Sequence, residues 1–84
     1  MSLKEDFELA VQHVKTLQKR PEDSTLLTLY ALFKQATSGD ITGSRPGFLD
    51  IKGRAKFDAW SSKKGMASEV AMTEYVALVK NLLR

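Results

Sequence analysis

Apolar residues recur at three- and four-residue steps in four stretches of the chain, and turn-forming residues stand between them. The first stripe is Leu3, Phe7, Ala10, Val14 and Leu17, which predicts a helix from Ser2 to Leu17. Ser2 and Glu5 have the spacing of a capping box. Gln18, Lys19 and Arg20 form a short connection, because the residue before Pro21 is pushed out of helical geometry. The stretch Pro21–Gly39 then carries a complete set of helix signals. Pro21 can open a helix, since the first turn has free N–H groups in any case. Glu22 and Asp23 suit the positive end of the helix dipole, and Asp23 or Ser24 can cap it. Leu26, Leu29, Phe33 and Ala36 share one face, and Gly39 can take the left-handed conformation that ends a helix. The second helix is therefore expected over Asp23–Ser38.

Asp40–Asp50 is the longest non-helical stretch and holds Gly43, Pro46 and Gly47. Arg45 reads as a solvated loop charge, and Phe48 and Leu49 as anchors of the loop to the core. Asp50 is an N-cap candidate for a third helix, Ile51–Lys63, with Gly65 as its stop. Ile51, Ala55 and Ala59 share one face, while Phe57 and Trp60 share another and are expected in the core. A fourth helix runs from Ala67 or Glu69 to the end. Ala71, Tyr75, Leu78 and Leu82 form its main apolar face, with Met72, Val76, Val79 and Leu83 beside it. A face this wide suits a helix packed against two neighbours. The pattern predicts one all-α domain over residues 1–84, a four-helix bundle without repeats or linkers.

Composition narrows the chemistry. Eighty-four residues allow one modest core. Without cysteine there is no disulfide framework or thiolate site, and one histidine makes no zinc cluster. His13 reads as a surface residue, since nothing nominates a nucleophile beside it. The start, Met-Ser-Leu-Lys-Glu-Asp-Phe, has charges where a signal peptide needs its apolar core, so an intracellular, cytoplasmic chain is the default. A net charge of +3, spread along the chain, favours an anionic small ligand over nucleic acid. Tyr30 and Lys34 lie one turn apart beside Phe33. A ring, a hydroxyl donor and a fixed cation suit a phosphorylated aromatic ligand such as a nucleotide. Lys15, near the end of the first helix, and Lys52 with Lys56 in the third read as solvated or dipole-compatible lysines.

The run Tyr30-Ala31-Leu32-Phe33-Lys34-Gln35-Ala36-Thr37-Ser38-Gly39-Asp40 resembles the signature of the acyl-CoA-binding protein family. The likeness continues through Arg45-Pro46-Gly47-Phe48-Leu49-Asp50-Ile51-Lys52-Gly53-Arg54-Ala55-Lys56-Phe57-Asp58-Ala59-Trp60 and covers nearly the whole chain. The resemblance implies a bundle in which the long loop crosses between the second and third helices and sets them parallel. It implies a non-covalent carrier of medium- and long-chain fatty acyl-CoA, a monomer without catalytic activity or cofactor, meeting enzymes and membranes transiently. By the same resemblance Lys15 serves the phosphate end, Lys34 a phosphate, Lys56 the phosphorylated ribose, and Phe33 the adenine side. Tyr30 engages the nucleotide part, and Tyr75 lies near the adenine and phosphates. The family often has tyrosine at the place of Phe33. It also commonly has a capping hydroxyl directly after the glycine, where this chain has Met66, so Ser68 would take over as the cap of the fourth helix.

Two terms set the affinity such a ligand should have. Burying roughly ten methylenes is worth ~8 kcal/mol gross. Lysine–phosphate contacts are worth roughly 1.5–3 kcal/mol apiece at best. The nucleotide end therefore fixes class and orientation, and chain length tunes affinity. The alternative is a small helical protein-interaction module without ligand, which the residues alone would favour because bundles host many functions.

Overall fold

A computed structural model describes residues 2–84. Four helices follow in order, α1 (Leu3–Val14), α2 (Asp23–Ser38), α3 (Ile51–Ser61) and α4 (Ser68–Leu82), and no strand occurs among the described residues. All four apolar stripes become helices, while several ends and anchors differ from expectation.

The capping box forms at α1. Ser2 Oγ accepts from the Glu5 backbone N–H at 3.2 Å, and Glu5 Oε1 accepts from the Ser2 N–H at 3.0 Å. The helix stops at Val14 rather than Leu17. Thr16 donates to the His13 carbonyl through both its hydroxyl (2.7 Å) and its backbone N–H (3.0 Å), which closes the last turn tightly. At α2 the N-cap is Glu22, not Asp23 or Ser24, and no side chain caps it. The Asp23 carboxylate is drawn back to Arg20 at 2.8 Å instead. Gly39 ends the helix with φ 80° and ψ −152°, a region that is open to glycine but not the left-handed helical one.

Asp50 caps α3 as expected, accepting from the Gly53 N–H at 2.9 Å. Its carboxylate occupies the space where a Cβ on residue 53 would stand, so this cap requires glycine there. The helix ends at Ser61, two residues before Lys63, and turns lead to Gly65 at φ 89°. Helix α4 starts at Ser68 behind Ala67 without a side-chain cap. The Ser68 hydroxyl donates to the Ala36 carbonyl at 2.7 Å, so it ties α4 to α2 rather than capping its own helix.

The core joins Phe7 and Ala10 of α1, Leu29, Leu32 and Ala36 of α2, and Ala71, Tyr75 and Val79 of α4. Helices pair as α1 with α4, α2 with α4, and α2 with α3. The molecule is a slab of 40 × 29 × 14 Å, and α3 packs against α2 alone. With one neighbour only, α3 contributes no buried residue, and Phe57 and Trp60, which their spacing assigns to the core, are half-buried. Trp60 sits at the edge with its indole N–H donated to the Gly39 carbonyl at 2.8 Å.

The long loop also departs from expectation. Phe48 and Leu49 are 73% and 84% exposed and anchor nothing in the core. Polar contacts hold the loop instead. Arg45, expected free in solvent, grips both carboxylate oxygens of Asp58 at 2.9 and 2.8 Å. Arg54 Nε donates to the Pro46 carbonyl at 3.0 Å, and the Asp50 N–H to the Gly47 carbonyl at 2.9 Å.

Candidate functional site

Helices α2 and α3 each present a ring and a lysine four residues apart, in opposite order: Tyr30 and Lys34 on α2, Lys56 and Trp60 on α3. Packing places each ammonium over the other helix's ring. Lys34 Nζ lies 4.9 Å from the Trp60 ring centroid, and Lys56 Nζ lies 5.3 Å from that of Tyr30. Such contacts are worth about 0.5–1 kcal/mol at exposed sites. They hold two flexible side chains along the seam without engaging their N–H donors in an ion pair. Beside the seam lies a trough of about 510 Å³. Leu26, Leu27, Ile51 and Ala55 give it apolar walls, with Lys52, Lys56 and the paired Arg20 and Asp23 on its rim. Cations beside an apolar trough suit an amphiphile with an anionic head and a hydrocarbon tail.

A second cluster fills the gap between α1 and α2, whose backbones do not pack on each other directly. Phe7 and Phe33 stack at 6.0 Å with planes 25° apart. Tyr75 meets Phe7 edge-on at 5.1 Å and lies 6.5 Å from Phe33. An open groove of about 460 Å³ runs over this cluster, bordered by Lys4, Phe7, Val11, Phe33, Thr37 and Met72. Tyr75 is only 4% exposed, and burial pushes its phenol above the usual pKa. Its ring surface belongs to the core.

Tyr30, Lys34 and Lys56 thus come together on the α2–α3 seam. Phe33 faces the α1–α2 groove with Tyr75 beneath it. Lys15, the exposed C-cap residue of α1, borders neither cavity. No group of three His, Cys, Asp or Glu side chains suited to a metal ion occurs among the described residues.

Two supporting residues escaped the sequence reading. Trp60, which its spacing assigns to the core, is instead the platform for Lys34. Gln35 is 1% exposed, and its Nε2 donates to Asp40 Oδ1 at 2.8 Å and to the Met66 carbonyl at 2.9 Å. Asp40 also accepts from the Gly65 N–H at 2.8 Å. That bond first, and the Gln35 amide second, hold its carboxyl below the usual pKa. Gln35 Oε1 is buried without a partner. This network fastens the α3–α4 turn to the end of α2, and the turn in turn fixes how α3 lies along α2. A signal existed: Gln35 stands three residues after Leu32, a polar side chain on an otherwise apolar face.

The Acyl CoA binding protein family model matches residues 4–79. The chain is 51% identical to an acyl-CoA-binding protein homolog of Manduca sexta, over 99% of this chain and 93% of that protein. It is 49% identical to an acyl-CoA-binding protein of Brassica napus, over 99% of this chain and 90% of that one. Among solved structures it resembles acyl-CoA-binding protein 2 of Oryza sativa, with TM-score 0.92 at 43% identity, covering 96% of this chain and 88% of that one. It also resembles the acyl-CoA-binding protein of Moniliophthora perniciosa, with TM-score 0.90 at 44% identity, covering 99% and 81%.

Proposed function

The chain belongs to the acyl-CoA-binding protein family, and we propose that it binds medium- and long-chain fatty acyl-CoA non-covalently as an intracellular carrier and pool former. The observation that carries this reading is the α2–α3 seam, where two ring-supported ammonium groups stand beside an apolar trough. Lys34 and Lys56 take phosphate oxygens, and Tyr30 gives the nucleotide a ring and a hydroxyl. Phe33 offers its open face to the adenine side. Tyr75 acts from beneath, by fixing Phe7 and Phe33. Lys15 contributes charge from the end of α1. The acyl chain lies in the trough beside Leu26, Leu27 and Ile51.

Binding alone accounts for the function, with no reaction on the thioester. The protein acts in the cytoplasm as a monomer and meets acyl-CoA-using enzymes and membranes only transiently.

Calorimetric titration with palmitoyl-CoA, free CoA and palmitate, on the wild type and Lys34→Ala, tests this reading. The ester should bind far more tightly than either half, and Lys34→Ala should lose at least ~1.4 kcal/mol, about ten-fold. Equal affinity for free palmitate would sink it. No heat with the ester would favour the interaction module, with a protein partner on the face of Lys15, Lys34 and Lys56.

A further inference from the structure

We propose that the turn at Gly47–Asp50 and the start of α3 form a docking tip for anionic lipid bilayers, with Phe48 and Leu49 entering the interface. Phe48, Leu49 and Ile51 are 73%, 84% and 78% exposed and lie within four consecutive residues. The other large exposed hydrophobics, Leu9 in α1, Val70 in α4 and Leu83 just after it, are dispersed and less than half exposed. Clustered exposure of this kind carries a cost in water, and it marks a surface that meets another apolar phase.

The tip is presented by an ordered base. The Asp50 N–H bonds the Gly47 carbonyl, the Asp50 side chain caps α3, and Arg54 bonds the Pro46 carbonyl. Phe48 and Leu49 therefore stand out because the backbone is turned that way. The flanking charge has the sign a membrane surface selects. Between residues 45 and 58 the chain holds Arg45, Lys52, Arg54 and Lys56 against two carboxylates, Asp50, which is occupied by the cap, and Asp58, which is paired with Arg45, so Lys52, Arg54 and Lys56 carry the excess positive charge. Across the trough Arg20 is paired with Asp23 and adds no net charge. Apolar side chains flanked by basic ones bind interfaces through combined burial and attraction to anionic lipid. The tip is a projecting turn, whereas a protein partner reading these side chains would need pockets matched to them. A fluid acyl layer accepts them in any orientation.

Ile51 belongs both to the tip and to the wall of the trough. The trough thus opens next to the docking surface, and an amphiphile can pass between bilayer and trough with little exposure of its tail to water. That transfer rests on the acyl-CoA reading; the docking does not.

The test is co-sedimentation of the full, ligand-free chain with phosphatidylcholine vesicles, with and without phosphatidylserine. The wild type should pellet with the anionic vesicles, more weakly as salt rises, and hardly with the neutral ones. Phe48→Ser/Leu49→Ser should lower that partition by about ten-fold or more, and Lys52→Glu should lower it as well. The double variant should keep its urea midpoint and bind palmitoyl-CoA in vesicle-free solution within about two-fold of wild type, since both residues are exposed. Absence of wild-type binding, or equal binding by the double variant, overturns the proposal. So does a comparable ten-fold loss of palmitoyl-CoA affinity in solution, which would make the two residues part of the trough. Vesicle binding by a wild type that shows no heat with palmitoyl-CoA would uphold the docking tip and defeat the carrier reading.

Discussion

Replacing Lys56 by alanine isolates one ammonium of the seam. In the free protein Lys56 Nζ lies 5.3 Å from the Tyr30 ring centroid, so its position is already biased before ligand arrives. Engaging a phosphate gives roughly 1.5–3 kcal/mol for a charge-assisted contact. Leaving the ring surrenders about 0.5–1 kcal/mol. The difference, about 1–2 kcal/mol, corresponds to a loss of about 5- to 30-fold in affinity for palmitoyl-CoA on Lys56→Ala. Calorimetry with palmitoyl-CoA and its 3′-dephospho analogue measures whether the loss is tied to the phosphorylated ribose. The variant should lose most of its deficit against the dephospho ligand, because the partner of the ammonium is gone from both sides of the comparison. An equal deficit with both ligands would refute the assignment and leave Lys56 a general attractor of anions. Tyr30→Leu with Lys56 intact supplies the control for the ring, which should weaken binding of both ligands.

Gln35→Leu should lower stability by about 1–2 kcal/mol in urea unfolding, since it takes one of two donors from Asp40 and the Gln35 bond from the Met66 carbonyl but also removes the buried, unpartnered Oε1. An unchanged midpoint would mean that the network holds nothing together. Acid should act through Glu5, Asp40 and Asp58, whose pKa values are lowered by bonds from the Ser2 backbone, the Gly65 backbone and the Arg45 side chain respectively. A depressed folded value means that the stability these groups contribute is present above their ordinary values of 4.5, 3.8 and 3.8, and is lost as pH falls through the lower folded ones. The urea midpoint should therefore hold level between about pH 7 and 5 and drop below about 4, with a smaller drop in Asp40→Asn. An equal drop in that variant would remove Asp40 from the account.

Features that depend only on neighbours along the chain were legible in the amino-acid order. Helix existence follows from the three- and four-residue steps, and the Ser2–Glu5 box and the Asp50 cap need only residues three apart. Tyr30 and Lys34 had to share a flank because they are one turn apart. The matched family stretches named the ligand class, which periodicity could not have done.

Which helix each face meets follows from long-range packing. Nothing local says that Lys34 will lie over Trp60, or Lys56 over Tyr30, because each pair is separated by a helix end and the whole crossing loop. Nor could periodicity rank two aromatic positions by depth. Tyr75 is buried because α4 packs between α1 and α2, while Phe57 and Trp60 stay half-exposed because α3 has one neighbour. Phe48 and Leu49 looked like anchors on composition, yet a turn held by Gly47, Asp50 and Arg54 points them outward. A side chain's apolarity states what its burial would gain, and only the placement of surrounding backbone decides whether there is anything to be buried against.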